Sequence, residues 1–244
     1  MKRRPEPELM DSEAQTAAYA AADFSESNSL FTERFTGRFP GLPASGRMMD
    51  LGCGPGDIVF RMARAFPNWQ ITGLDAGENM LRCARQRLAG EQGCSNVEFR
   101  HAYLPDETLE PGSCQALISN SLLHHLPDPL VLWQTVVQLA APGAAVQVMD
   151  LFRPHSEDEA MRLVDHYSGD EPEVLREDFY KSLLAAYTVE EIADQVAQSG
   201  LRGREVEMAS DRHWIVRGRA RARNATTHGP RGPQHARRRP CIRS

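Results

Sequence analysis

Three glycines, Gly52, Gly54 and Gly56, follow the apolar run Met48-Met49-Asp50-Leu51 and lead straight into a helical pattern over 57–65. At such a turn glycine lets the backbone approach a ligand closely and take a positive φ without a Cβ penalty. The helix behind it aims free N–H groups and the positive end of its dipole at that ligand. Nineteen residues past Gly56, Asp75 closes a second apolar run that begins at Trp69. A carboxylate at that distance, ending a strand, is placed to accept hydrogen bonds from ribose hydroxyls. Loop and acid together indicate a nucleoside cofactor. Farther on, Asn120 ends another apolar run and His124 and His125 follow it. An amide and two imidazoles there supply groups that can orient a nucleophile or move a proton.

Spacing narrows the cofactor. A dinucleotide fingerprint, G-x-G-x-x-G, wants its third glycine at position 57, which is Asp57; the chain reads G-x-G-x-G with Pro55 inside it. That form resembles motif I of the class I S-adenosylmethionine-dependent methyltransferases. The segment Asp75-Ala76-Gly77-Glu78-Asn79-Met80 is similar to the family's second motif, and the resemblance covers roughly residues 45–216. It implies that Gly52, Gly54 and Gly56 face the methionine moiety and that Asp50 lies near the cofactor's ammonium, often through water. It also implies that Asp75 holds the ribose diol while Ala76 and Met80 flank the adenine, Met80 being otherwise a core residue at helical spacing. Cys53, inside the cofactor loop, is read as a small packing residue, because methyl transfer from a sulfonium needs no covalent enzyme intermediate. After the third strand the family often has an Asp and a small residue at the adenine edge. Here His101 stands where that Asp would be, either a contact or a solvated loop histidine, and Ala102 can offer its backbone N–H. Tyr19, in the first helical pattern, is the candidate lid over the cofactor.

The segment from Ala116 to Asp128 resembles the family's strand-four motif. The resemblance puts Asn120 beside the transferable methyl, its carbonyl toward the cofactor's amino group and its side chain toward a nucleophile. His124 and His125 join it as catalytic candidates, with three roles open: general base, pocket lining or structure. No metal is expected, since neighbouring histidines diverge on a helix or turn and no Cys, Asp or Glu sits at ligand spacing. Substrate contacts are sought after the fifth strand, at Arg153, His155, Tyr180, Ser182 and Tyr187. The implied reaction is in-line transfer of the methyl group of S-adenosylmethionine to a small-molecule acceptor.

The elements that must position these residues alternate. Apolar runs near 47–51, 69–74, 96–99, 115–119 and 144–150 read as strands, and helical patterns fill 57–65, 78–89 and 129–140. That order predicts an α/β fold, a doubly wound and mainly parallel sheet with ligands at the carboxyl ends of its strands. Two further strands near 201–208 and 213–216, after a capping-box helix opening at Thr188, match the seven-stranded Rossmann-like methyltransferase sheet whose last strand inserts antiparallel. Residues 1–44 are a loose leader plus two lid helices, the second capped by Ser25 or Ser27, and 153–187 form a helical substrate insertion. The remainder, 217–244, is read as a basic disordered tail.

At 244 residues and 41% hydrophobic composition, the chain fits one domain with additions. It has no run of about 18 apolar residues, so no membrane span is expected. Five scattered cysteines without a C-x-x-C pair suggest reduced thiols and a cytoplasmic location. Nine of the 28 Lys and Arg residues fall in 217–244, which holds no acid, leaving 19 against all 33 Asp and Glu in 1–216. So acidic a body is a poor partner for a phosphate backbone, and nucleic acid is not the expected substrate. The readings weighed against small-molecule methylation are a tRNA or protein methyltransferase, a non-catalytic S-adenosylmethionine-binding regulator and, last, a nicotinamide dehydrogenase.

Overall fold

In the computed structural model, which describes residues 1–7, 11–201 and 204–220, the alternation becomes one seven-stranded sheet. Strands β1 (Arg47–Leu51), β2 (Gln70–Asp75), β3 (Val97–His101), β4 (Cys114–Asn120) and β5 (Ala140–Leu151) are parallel. With β6 (Glu205–Met208) and β7 (His213–Arg219) the order is β3-β2-β1-β4-β5-β7-β6, and β7 lies antiparallel to both its neighbours. The chain leaves β1 for β2 and β3 on one side, then returns to β4 on the other. The carboxyl ends of β1 and β4 therefore flank the crevice where ligands bind in open α/β sheets. Gly52 and Asn120 stand at those two ends.

Central parallel strands are covered on both faces, which is why Met48–Leu51 reads as an unbroken apolar run around one buried acid. Helices α1 (Glu13–Ala21) and α2 (Ser25–Arg38) precede the sheet, and α3 (Asp57–Ala65), α4 (Glu78–Leu88) and α5 (Leu130–Leu139) connect its strands. Phe31 and Phe35 of α2, Val59 and Phe60 of α3 and Leu81 of α4 fill one face. Leu132, Trp133 and Val136 of α5 fill the other, joined by Ile192 and Val196 of α8 (Val189–Gln198). Two buried polar contacts cross the layers: Gln147 Nε2 donates to the Phe31 carbonyl at 2.8 Å, and Trp133 Nε1 to Gln195 Oε1 at 3.0 Å. The insertion is two helices, α6 (Glu157–Ser168) and α7 (Glu173–Ala185), with a small apolar cluster of their own around Leu151, Val164 and Leu183. Thr188 and Glu191 form the expected capping box at the start of α8.

Three expectations need correction. Neither Ser25 nor Ser27 caps α2: its N-cap is Phe24, and the Ser25 N–H donates to Asp23 Oδ1 at 2.8 Å, whereas Ser12 caps α1 through the Gln15 N–H. The leader is not loose over 1–7. Arg4 N–H donates to the Leu184 carbonyl at 2.9 Å, and the Arg3 guanidinium reaches the Ala185 and His124 carbonyls at 2.6 and 2.9 Å. The sheet also runs past 216, because β7 continues to Arg219; the rest of the expected tail, 221–244, lies outside the described residues.

Gly56 caps α3 in the left-handed region, φ +86°, and a Cβ there would stand 2.7 Å from the Phe99 ring and 3.2 Å from Phe60. Both backbone and packing demand glycine. Gly56→Ala should cost about 1–3 kcal/mol, or roughly 2–4 °C of Tm per kcal/mol in a domain of this size. A melt at the wild-type temperature would contradict the assignment.

Candidate active site

The glycine loop is fixed by its hydrogen bonds to the end of β2. The N–H groups of Gly52 and Cys53 both donate to the Leu74 carbonyl, at 2.8 and 3.0 Å. The Asp75 carboxylate accepts the Gly54 N–H on Oδ2 and the Gly77 N–H on Oδ1, each at 2.8 Å. Burial raises the Asp75 pKa from the usual carboxylate range, and these two donors pull it back. Asp57, where a dinucleotide fold would have glycine, bonds Arg61 at 2.6 Å, Asn28 at 2.9 Å and Arg87 at 3.2 Å, tying α2, α3 and α4 together behind the loop. The N-terminus of α4 is capped from a distance: Asp11 Oδ1 accepts the Asn79 N–H at 2.8 Å.

Around this loop lies a cleft of about 510 Å³. Gly52, Cys53, Gly54, Asp75, Ala76 and Met80 form one wall, with Asp50 beneath them, and Ala102, Asn120 and Tyr19 complete the lining. Asp50 Oδ1 and Asn120 Oδ1 are buried acceptors with no hydrogen-bond partner. Burial, with Asp75 nearby, pushes the Asp50 carboxyl up to about 8. An ammonium is the complement of a buried, unpartnered acid such as Asp50, and an unobstructed Gly54 beside Asp75 fits a nucleoside end. The residues present thus suit S-adenosylmethionine, which carries both groups.

A second cavity, about 210 Å³, shares Tyr19, Phe24, Asn120, Ser121 and His125 with the first. It continues toward His124, Phe179, Ser182, Arg212 and His213. His124 and His125 form a 3₁₀ turn after β4, and their rings lie 4.1 Å apart at 38°. Asp150, at the end of β5, bonds His124 Nδ1 at 2.5 Å and accepts the His124 N–H at 3.2 Å. Burial opposes charge on His124, but Asp150 and Glu6 hold its pKa above the ordinary value. His125 has no such carboxylate bond; burial and the neighbouring His124 push it down to about 3. Glu6 Oε1 lies 3.4 Å from both His124 Nε2 and His125 Nδ1. The expectation that no acid stands within ligand reach of the pair therefore does not hold, because the fold brings Glu6 from the N-terminal segment.

Asp50, Gly52, Cys53, Gly54, Asp75, Ala76, Met80, Asn120 and Tyr19 meet at the first cleft, with Gly56 behind the loop rather than on its wall. His101 does not line it: the ring Nε2 meets the Ala76 carbonyl at 3.0 Å, on an exposed surface. Ala102 does line it, but its N–H is taken by the Asp75 carbonyl at 3.0 Å and is not free for adenine. Of the substrate candidates, only Ser182 lines the second cavity. Arg153 turns away to Glu191 at 2.7 Å and the Ala186 carbonyl. Tyr180 donates to Glu157 at 3.0 Å, Tyr187 is buried under the Arg3 guanidinium, and His155 is exposed. Sequence reasoning missed Glu6, Arg212 and His213 and gave Asp150 no role; only Asp150, an acid ending a buried strand, carried a readable signal.

A family profile described as a methyltransferase domain matches residues 49–146, the stretch that holds the glycine loop, Asp75, Asn120 and both histidines. A trans-aconitate 2-methyltransferase of Sinorhizobium fredii is 32% identical over 178 residues, covering 73% of this chain and 57% of that protein. One of Streptomyces coelicolor is 35% identical over 114 residues, covering 45% of this chain and 36% of its own length. The chain thus spans about half or less of the curated relatives it matches. In fold it is similar to an S-adenosylmethionine-dependent methyltransferase from Aquifex aeolicus, TM-score 0.63 at 15% identity, covering 85% of this chain and 98% of the other. Sheet order, glycine loop and matched profile agree in supporting a class I S-adenosylmethionine-dependent methyltransferase, with the methyltransferase domain matched over residues 49–146.

Proposed function

We propose that this protein methylates a small molecule held in the second cavity, taking the methyl group from S-adenosylmethionine in the glycine-loop cleft. The observation that carries this reading is the shared wall: Asn120, Ser121, His125 and Tyr19 line both spaces, so a donor in one faces an acceptor in the other. When bound, the cofactor supplies a methyl carbon on a positive sulfur, open to in-line displacement. The chain's part is then chiefly to hold two reactants in line, which can be equivalent to several kcal/mol of barrier.

Each residue has a task on this reading. Asp75, already holding the loop, has lone pairs left for the ribose diol. The unpartnered oxygen of Asp50 accepts the ammonium, and that of Asn120, which lines both cavities, turns to the acceptor. Met80, buried at the start of α4, packs against the adenine, and Tyr19 closes the cleft from α1. Burial pushes the Tyr19 phenol up to about 12, so it remains a neutral donor at ordinary pH. On the acceptor side Asp150 fixes the His124 ring so that Nε2 faces Glu6 and the cavity.

A small acceptor fits the enclosure better than a polymer does. Helices α1 and α7 wall the second cavity, and Asp23, Glu26, Glu171 and Asp178 stand around it. An RNA chain would need basic groups at those positions. Among the described residues no helix is long and apolar enough to cross a membrane. Given the relatives' names, trans-aconitate is the first acceptor to try. The broader test is incubation with methyl-labelled cofactor and a small-molecule extract. Label should appear in a low-mass product; label only in RNA or protein, or tight cofactor binding with no turnover, would overturn the reading.

Two mutational outcomes follow from the geometry. Asp75→Ala, if it still folds, should weaken S-adenosylhomocysteine binding by about 1–3 kcal/mol in calorimetry. Asn120→Ala should lower turnover more than cofactor affinity; the reverse pattern would take Asn120 out of the reacting centre. Asp50 gives a pH signature. Its folded pKa, about 8, lies above the ordinary carboxylate value, so its contribution to stability is complete at low pH and is lost as pH rises through about 8. Without cofactor, the wild type should therefore melt progressively below Asp50→Asn between about pH 5 and pH 8, by roughly 2–4 °C for each kcal/mol. Parallel curves would show that Asp50 is not buried as a neutral acid.

A further inference from the structure

We propose that Glu6, His124 and His125 form a binding site for one divalent transition-metal ion, with zinc the best match. Glu6 Oε1 stands 3.4 Å from His124 Nε2 and 3.4 Å from His125 Nδ1, and all three atoms lie within 4.8 Å of one another. Two ligands about 2.1 Å from a zinc ion at the tetrahedral angle are about 3.4 Å apart. The observed separations are thus the edges of a coordination polyhedron, and they are longer than the usual hydrogen bond of about 2.9 Å.

The unpartnered atoms point the same way. Glu6 Oε1 and His125 Nδ1 are buried without a hydrogen-bond partner, and the Glu6 side chain is only 7% exposed. A buried, unpaired carboxylate oxygen is costly unless something positive meets it. A proton on His124 would bridge one of the two gaps to Glu6. A metal ion fills both at once.

The surrounding groups are those that orient metal ligands. Asp150 bonds His124 Nδ1 at 2.5 Å, which leaves Nε2 as the nitrogen turned to Glu6. A carboxylate behind a histidine ligand fixes its tautomer and raises its basicity. Arg3 holds the His124 carbonyl at 2.9 Å, and Asp150 and Asp178 add their negative charge to that of Glu6 around this point. Two imidazoles and a carboxylate suit zinc or iron(II) rather than calcium or magnesium, which take oxygen ligands.

Three protein ligands leave a coordination position open. His124 and His125 both line the second cavity beside Asn120, so that position faces the acceptor. An acceptor hydroxyl or carboxyl bound there would lose its proton to solvent and present an anionic oxygen to the methyl carbon, with His124 acting as a ligand. This role rests on the methyl-transfer reading; binding of the ion does not.

The test is titration of cobalt(II) into the metal-stripped full-length chain, followed by its visible ligand-field absorption and by competition with zinc. One saturable equivalent is expected, displaced by zinc. Glu6→Gln and His125→Ala should each weaken it at least tenfold, and Asp150→Asn by about 10–100-fold. Glu6 lies in a peripheral segment, so its variant should keep the wild-type fold. A triple variant replacing His228, His235 and Cys241 with alanine should bind as the wild type does. Absence of a saturable signal in the wild type would overturn the proposal. So would full binding by Glu6→Gln and His125→Ala, or loss of binding in the triple variant, which would place the ion on residues 221–244.

Discussion

The Asp75 carboxylate is the contact on which the cofactor half of the molecule depends. Its two oxygens accept the Gly54 and Gly77 N–H groups, so one side chain holds the glycine loop after β1 against the turn after β2. The backbone around it extends the same tie. Leu74 accepts from Gly52 and Cys53, and the Asp75 carbonyl accepts from Ala102 beyond β3. Three strand ends are thereby locked into one rim. Because the carboxylate is largely buried, each of these donors counts for more than it would in water. The loop is therefore set before a ligand arrives, and binding does not have to order it.

The acceptor half is organised by a different pair. Asp150 and His124 sit on the ends of β5 and the turn after β4, and their 2.5 Å contact fixes the imidazole between the sheet and the inserted helices. Beyond the strand ends at Asn120, Leu151 and His213, this side is enclosed from outside the sheet: by α1 and the start of α2, by α7 of the insertion, and by the N-terminal segment bearing Arg3 and Glu6. The division has a physical logic. The sheet and its rim fix what every member of the family must bind, whereas the added helices shape the space that admits the acceptor.

What could be read from the sequence follows the same line. Gly52 to Gly56, Asp75 and Thr188 were legible because their signals are local: a turn needs glycine, a strand end presents its acid, and a cap bonds the backbone three residues away. The parallel strands followed from the alternation of elements, whereas the antiparallel β7 was implied by the resemblance to the methyltransferase sheet. Arg153, Tyr180 and Tyr187 were misread because chain position does not say which way a side chain turns. Arg153 is drawn to Glu191 and Tyr187 to Arg3, contacts between segments far apart in sequence. For His101, left open between a contact and a solvated histidine, the ring finds the Ala76 carbonyl on the exposed side of the rim instead of the cleft. Glu6 was unreadable altogether, since nothing local marks a carboxylate that the fold carries more than a hundred residues to a histidine pair.

The rim built on Asp75 is shaped for S-adenosylmethionine and not for a dinucleotide. Isothermal calorimetry on the unmodified chain, with S-adenosylhomocysteine and NAD compared under the same conditions, checks this. Saturable binding of S-adenosylhomocysteine at one site and none of NAD is expected. Binding of NAD with no affinity for S-adenosylhomocysteine would show that the rim serves a dinucleotide instead.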